Sequence, residues 1–398
     1  MTTDLEILNS LVARIFRIED VTSGGHNDPY LLRYRGQLLN GTEDSAAAYD
    51  QLAEALKPHG LMPLFRQVEN QGQVILLVEK LPAPPPSNPR TNLIMFILTI
   101  ISVMLTGAQI PEGVPIPEDI LGLLALMVRY FYTGWPFALA LLSILLAHEF
   151  GHYFAGRYHK TNVSLPFFIP LPFFSILGTM GAFINMRELP KNKRTLFDIG
   201  IAGPLAGLVV SIPVLLIGLS LSTTSIIQPI ENGFIEGNSI LYLLAKFVVF
   251  GQLLPAPADY NGLSPILYWL AYFFTGQPVP YGGLDVMIHP VALAGWAGIL
   301  VTALNLIPAG QFDGGHILYA LLGKQVRRAL PFLLVVMGGL GVFWAGWWLW
   351  AALIFFLGRT HPETLDEITT LDPRRRALAW LMILIFILVF TPVPMVGM

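Results

Sequence analysis

The chain has 398 residues, of which 54% are hydrophobic and 12% charged, and its mean hydropathy is +0.62. Soluble domains carry roughly 25% charged residues, so this composition excludes an ordinary soluble globular protein and points to an integral membrane protein. The net charge of −3 offers no nucleic-acid surface, and the absence of cysteine excludes disulfides and thiolate metal sites, leaving nitrogen and oxygen ligands for any metal.

Residues 1–81 show mixed periodicity and predict a small soluble α+β domain, with a strand near 30–39, a helix near 43–59 and strands near 62–67 and 73–78. Nothing in it looks catalytic. His26 and His59 read as surface residues, and a regulatory or docking role is expected. No apolar run of signal-peptide type occurs there. The run Pro82-Ala-Pro-Pro-Pro-Ser-Asn-Pro89 predicts a stiff, extended linker over 82–91, followed by a transmembrane domain over 92–398.

The first membrane segment is expected at 92–105. Residues 120–131 are apolar but short and carry Arg129, which suits an interfacial or re-entrant piece. A helix over 136–158 then delivers the chain into Arg157, His159 and Lys160. Residues 164–186 are uncharged yet contain Pro166, Pro170 and Pro172, too many prolines for a clean helix. A membrane-embedded loop or hairpin, covered by protein or lining a watery cavity, fits better.

A second core span is expected at 200–220, where Gly200, Gly203 and Gly207 give a small-residue face for close helix packing. Residues 222–286 form an insertion whose one basic residue is Lys246, with short apolar stretches at 240–254 and 265–274. Further segments are expected at 286–307, as a hairpin over 331–357, and at 377–390. The expected fold is thus a polytopic α-helical membrane protein with about six to eight membrane segments, preceded by the α+β domain. The positive-inside rule puts the basic clusters at 157–194, 323–328 and 359–376 on the cytoplasmic side. The N-terminal domain shares that side if 120–131 does not cross.

Residues 148–152 read His-Glu-Phe-Gly-His inside the 136–158 helix. Histidines four apart on a helix face the same way, so both imidazoles can reach one metal ion, with Glu149 beside them. Ionisable groups at bilayer depth are costly and mark function. Catalytic zinc takes three protein ligands plus a water. Between residues 286 and 322 the ionisable candidates are His289, Asp313 and His316. His289 lies near the far end of its span. Asp313, after a helix broken by Pro308 and Gly310 and before Gly314 and Gly315, is the preferred ligand on an unwound stretch, with His316 as a competitor or neighbour. His361 reads as structural or solvent-facing. Glu149 suits a general base, and the Asn305 amide suits holding substrate backbone or a developing oxyanion. A transporter or channel for metal ions or protons, using the same His and Asp residues, is the alternative.

The two motifs, His148-Glu-Phe-Gly-His152 and Asn305-Leu-Ile-Pro-Ala-Gly-Gln-Phe-Asp313-Gly-Gly, resemble those of the site-2 protease family of intramembrane zinc metalloproteases. Gly178-Thr-Met-Gly181 and Gly200-Ile-Ala-Gly-Pro-Leu-Ala-Gly207 also look like family sequence, and the resemblance covers about residues 135–325. It implies one zinc ion per chain on His148, His152 and Asp313, with Glu149 as catalytic base and Asn305 assisting. It further implies a membrane-embedded sheet or loop over 166–183, with Gly178 and Gly181 as candidate substrate-contacting positions. The partners implied are a transmembrane protein substrate and the lipid bilayer, within regulated intramembrane proteolysis. The arrangement looks closest to the bacterial and plastid-type branch, in a plasma or plastid-type membrane. No PDZ-like insertion is seen.

Overall fold

The computed structural model describes residues 2–25, 28–39, 45–68, 72–79, 88–111, 113–229, 233–357 and 363–397. Most of the linker expected at 82–91 lies outside them, as do His26 and His361.

The N-terminal unit contains α1 (Thr2–Ala13), β1 (Phe16–Ser23), β2 (Leu32–Leu38), α2 (Ser45–Leu56), β3 (Leu61–Val68) and β4 (Gly72–Glu79). The strands form one antiparallel sheet in the order β1-β2-β4-β3. In β2 the alternate residues Leu32, Tyr34 and Leu38 are buried, and α2 buries Ser45, Tyr49, Leu52 and Leu56. Those are the two-residue and helical periods by which strand and helix each cover one face of a core. That core also holds Phe16, Phe65 and Ile75, together with Ile368 from far along the chain.

Residues 364–369 bind this unit to the rest of the molecule. The edge strand β3 is extended by a parallel bridge, Phe65 N–H donating to Leu365 O (2.9 Å) and Glu367 N–H to Phe65 O (3.1 Å). On its other side Asp366 N–H donates to Lys191 O at 2.8 Å. An open sheet edge is thereby covered. The Asp366 carboxylate is fully buried and accepts from Ser45 Oγ (3.0 Å), Thr369 Oγ1 and the Ile368 and Thr369 amides (2.8 and 3.2 Å). Arg66 donates to Thr364 O at 2.8 Å. Asp366→Ala strands these donors in a buried site. Hydrogen bonds to a charged group contribute about 1.5–3 kcal/mol each, so the N-terminal unit should become sensitive to limited proteolysis while the helical part stays intact.

The helical part begins with α3 (Pro89–Thr106), α4 (Ile120–Arg129) and α5 (Trp135–Tyr158). Asn88 caps α3 by accepting from Arg90 N–H, and Asp119 caps α4 by accepting from Gly122 N–H. A β-carbon at Gly134 would meet the Met104 carbonyl oxygen at 2.0 Å, and one at Gly107 would meet Phe137. The end of α3 and the start of α5 therefore lie at one level, with the ten-residue α4 between them in sequence. Next come β5 (Phe167–Pro170) and β6 (Thr179–Phe183), an antiparallel hairpin, and α6 (Lys193–Ser220). Asn92 Nδ2 donates to Leu165 O and Pro166 O, and Ser102 Oγ to Gly178 O, so the hairpin lies along α3.

The insertion holds β7 (Thr223–Ile226), β8 (Phe234–Glu236), α7 (Ile240–Phe250), α8 (Pro265–Thr275) and β9 (Leu284–Met287), with β7 pairing β9. Helix α9 (Pro290–Asn305) starts later than the span expected at 286–307, because Val286 and Met287 belong to β9. Helices α10 (Asp313–Leu322), α11 (Ala329–Gly341), α12 (Gly346–Leu357) and α13 (Pro373–Val389) follow, and β10 (Met395–Gly397) pairs β8. Helices α11 and α12 form the expected hairpin. Helices α5, α6 and α9 pack together as the centre of the main core.

Among the described residues, three helical segments are long and apolar enough to cross a membrane by length and composition: Pro89–Thr106, Phe131–Tyr158 and Lys193–Ser220. The chain is mostly helical with an N-terminal sheet.

Candidate metal centre

The centre is assembled where α5 lies antiparallel to α6. The four-residue spacing of His148 and His152 meets the same spacing of Gly207 and Gly203. A β-carbon at Gly203 would fall 2.0 Å from His152 Nε2, and one at Gly207 would fall 3.2 Å from His148 Nδ1. Absence of side chains on α6 thus makes the room that the two imidazoles fill. Gly151, inside the motif, lets the backbones approach, since its β-carbon would meet Ala202 O at 2.4 Å. His152 Nδ1–H donates to Ile199 O at 2.7 Å, which fixes the tautomer and turns the Nε2 lone pair toward the centre.

The third group comes from the α9–α10 junction. The segment 306–312 breaks the helix, with Gly310 at φ 50°. The sequence suggests an unwound carboxylate; instead Asp313 is the first residue of α10. Gly314 and Gly315 make this tight return possible, because β-carbons there would meet Leu306 O at 2.0 Å and Gly310 O at 2.5 Å. The three donor atoms converge. His148 Nε2 and His152 Nε2 are 3.2 Å apart, and Asp313 Oδ2 lies 3.4 and 3.3 Å from them. Ligands held tetrahedrally at zinc's usual distances of about 2.0–2.1 Å sit about 3.3 Å from one another. Among the described residues, the group of metal-type donors is His148, His152 and Asp313.

These residues border a cleft of about 170 Å³, also lined by Glu149, Asn305, Gln311, His316 and the β6 residues Ala182 and Phe183. Residues 136–360 match peptidase family M50. The chain belongs to that family. The site-2 protease resemblance is thereby shown. The M50 chain is 30% identical to the probable zinc metalloprotease EGY1, chloroplastic, of Arabidopsis thaliana over 76% of its own length and 52% of that protein. It is 28% identical to the protein of the same name from Oryza sativa subsp. japonica, over 76% and 50%. It is 27% identical to the probable zinc metalloprotease EGY2, chloroplastic, of Arabidopsis thaliana, over 66% and 42%. It spans about half the length of the curated relatives it matches.

The structure of this M50 chain brings Glu149 and Asn305 to the cleft with the three donors. Asn305 Nδ2 lies 3.3 Å from His148 Nε2, at the last turn of α9. His316 lines the cleft one turn beyond Asp313 but stands outside the converging group. His289 caps the opposite end of α9, accepting from Val291 N–H, and His59 is exposed. The two hairpin glycines differ. Gly181 (φ 101°) has open space where a β-carbon would point, whereas Gly178 (φ 69°) packs against Ser102 and Thr106 of α3; neither lines the cleft. Sequence reasoning misses the Ile199 carbonyl, which no residue type announces. It also reads Gly203 and Gly207 as helix packing without their histidine partners, although the matched spacing carries that signal.

Proposed function

We propose that the chain is an intramembrane zinc metalloendopeptidase that hydrolyses peptide bonds of transmembrane substrates, within regulated intramembrane proteolysis. The observation that carries this is the tetrahedral-edge spacing of His148, His152 and Asp313 around a cleft that also holds Glu149. The names of the curated relatives agree with zinc and with proteolysis. When bound, the zinc supplies Lewis acidity that makes water nucleophilic near neutral pH and polarises the scissile carbonyl. His148, His152 and Asp313 hold it. Glu149 takes the proton of the attacking water and returns it to the leaving amine. Asn305, its amide at the cleft, donates to the carbonyl oxygen as charge develops there. A helical substrate hides its amides, so cleavage needs local unwinding; strand β6, whose residues line the cleft, offers an edge for the unwound chain to pair with.

The assignment extends to topology. With α4 making no net crossing, α3, α5, α6, the α9–α10 pair, α11, α12 and α13 traverse the bilayer, within the six to eight segments expected. The N-terminal unit and the basic clusters then share the cytoplasmic side, toward which the cleft opens, and β10 and the insertion lie opposite. A plasma or plastid-type membrane suits this arrangement. A transporter would have no use for a base adjoining two ligands on one helical turn.

The test is cleavage of a reporter transmembrane substrate in vesicles, with zinc content measured in parallel. Stripping the metal should abolish cleavage and added zinc should restore it. Asp313→Ala should lose cleavage and weaken zinc binding by more than the roughly 10–100-fold typical of losing an outer-shell partner. Cleavage by metal-free protein would overturn the proposal; unchanged zinc affinity in Asp313→Ala would remove that ligand and favour His316.

A further inference from the structure

A second cavity of about 610 Å³ lies at the end of the helices opposite the basic clusters, where β7, β8 and β9 meet the start of α9 and the turn of the β5–β6 hairpin. Its walls are mainly apolar, with Leu177, Ile226, Phe234 and Met287 among them, but Glu236 and Asp285 also face it. Their carboxylates share one ammonium. Lys246 Nζ, fully buried, lies 3.1 Å from Asp285 Oδ1 and 3.4 Å from Glu236 Oε1. Tyr242 donates to Glu236 Oε1 at 2.8 Å, and Val286 N–H donates to Asp285 Oδ1 at 2.8 Å. Asp285 is 5% exposed, and its Oδ2 has no hydrogen-bond partner among the described residues. A buried carboxylate oxygen without a donor is costly. Two carboxyl groups thus share one ammonium beside apolar walls. The cavity is therefore complementary to a cation on an apolar stem.

We propose that this cavity is a recognition subsite for the substrate polypeptide, taking a lysine or arginine side chain whose head pairs with the acidic wall formed by Asp285 and Glu236. The inference rests on the proteolytic reading above. What favours a substrate segment as occupant is continuity with the hairpin: Leu177 lines the cavity and Ala182 lines the metal cleft. A chain paired along β6 from Thr179 to Ala182 advances about 3.3 Å per residue, so the strand covers about 10 Å of the way between the two sites. Helix α9 supplies an independent ruler, since Leu293 and Trp296 line the cavity and Asn305 the cleft. At about 1.5 Å per residue these spacings are about 18 and 14 Å. A basic residue about four to six positions from the scissile bond reaches Asp285 if the substrate between is extended, against about nine to twelve if it stays helical.

The experiment uses the zinc-loaded full chain in vesicles and a reporter substrate whose transmembrane segment carries lysine, leucine or glutamate at each of positions four to fourteen on either side of the cleaved bond. The expected result is a kcat/KM preference for lysine over leucine of about tenfold or more, as for a charge-assisted hydrogen bond, within about the fourth to sixth positions only. Asp285→Asn should bring that ratio to about one. Because Asp285→Asn could disturb folding around Lys246, Met287→Trp, which fills the cavity from its rim, is the second variant and should also abolish the preference. Cleavage of the leucine substrate with no lysine preference at any position would overturn the subsite and leave the protease assignment standing. A rate that follows the phosphatidylethanolamine content of the vesicle instead of the substrate residue would reassign the cavity to a lipid amine. No cleavage of any substrate would sink both.

Discussion

Glu149→Gln should bind one zinc ion as tightly as the wild-type chain and yet cleave a transmembrane reporter roughly 10²–10⁴-fold more slowly, the range that a general acid–base group contributes. The two halves of this expectation come from different parts of the site. Metal retention follows because the three converging donors belong to His148, His152 and Asp313, and Glu149 is not in that group. Loss of turnover follows because Glu149 is 5% exposed, sits beside His148 on α5 and lines the cleft. Glutamine keeps the shape of that side chain and removes its capacity to accept and return a proton. Metal content by elemental analysis and single-turnover cleavage would be read on the same preparation. Wild-type turnover in this variant would remove Glu149 from the mechanism, while coincident loss of zinc would make it a ligand.

Gly203→Ala should empty the metal centre although position 203 carries no functional group. The added methyl would lie 2.0 Å from His152 Nε2 and 2.4 Å from Cδ2, inside any permitted contact, and His152 cannot yield freely because Ile199 O holds its other nitrogen. Either the ring leaves the centre or α5 and α6 move apart, and both outcomes separate the donors. Displacing a ligand should cost zinc affinity more than the roughly 10–100-fold seen when only an outer-shell partner is lost. Gly207→Ala is the matched control, since its methyl would meet His148 Nδ1 at 3.2 Å and a few tenths of an ångström of relaxation relieve it. Zinc affinity should fall far more in the first variant than in the second, with helix content by circular dichroism unchanged in both. Equal affinities would show that the α5–α6 contact is softer than the geometry requires.

The part of the site legible in the sequence is the part carried by local spacing. Two histidines one helical turn apart, and an aspartate between a broken helix and two glycines, announce themselves because their chemistry and periodicity are written in adjacent residues. The helix near 43–59 and the strands near 30–39, 62–67 and 73–78 are legible for the same reason and appear as α2, β2, β3 and β4. Strand β1 is not, because the alternation of Phe16 and Ile18 with Arg17 and Glu19 is cut short by a register shift between Ile18 and Asp20, and only Phe16 is buried. The pairing of β7 with β9 joins residues about sixty positions apart, and Lys246 meets Asp285 across an intervening helix; no local pattern encodes such meetings. The expected start of α9 falls too early for a related reason: Val286 and Met287 are apolar enough to suit a span but are claimed by a strand pair.

The bridge between Phe65 and Asp366 has a consequence for biogenesis. The N-terminal sheet cannot close its edge, nor its core receive Ile368, until about three hundred further residues, helices α3 to α12 among them, have been made. At synthesis rates of about 5–20 residues per second that delay is about 15–60 s. During it a strand edge of the sheet stays unpaired and the seat for Ile368 stays open. Completion of the sheet therefore depends on prior synthesis of the helices that carry His148, His152 and Asp313.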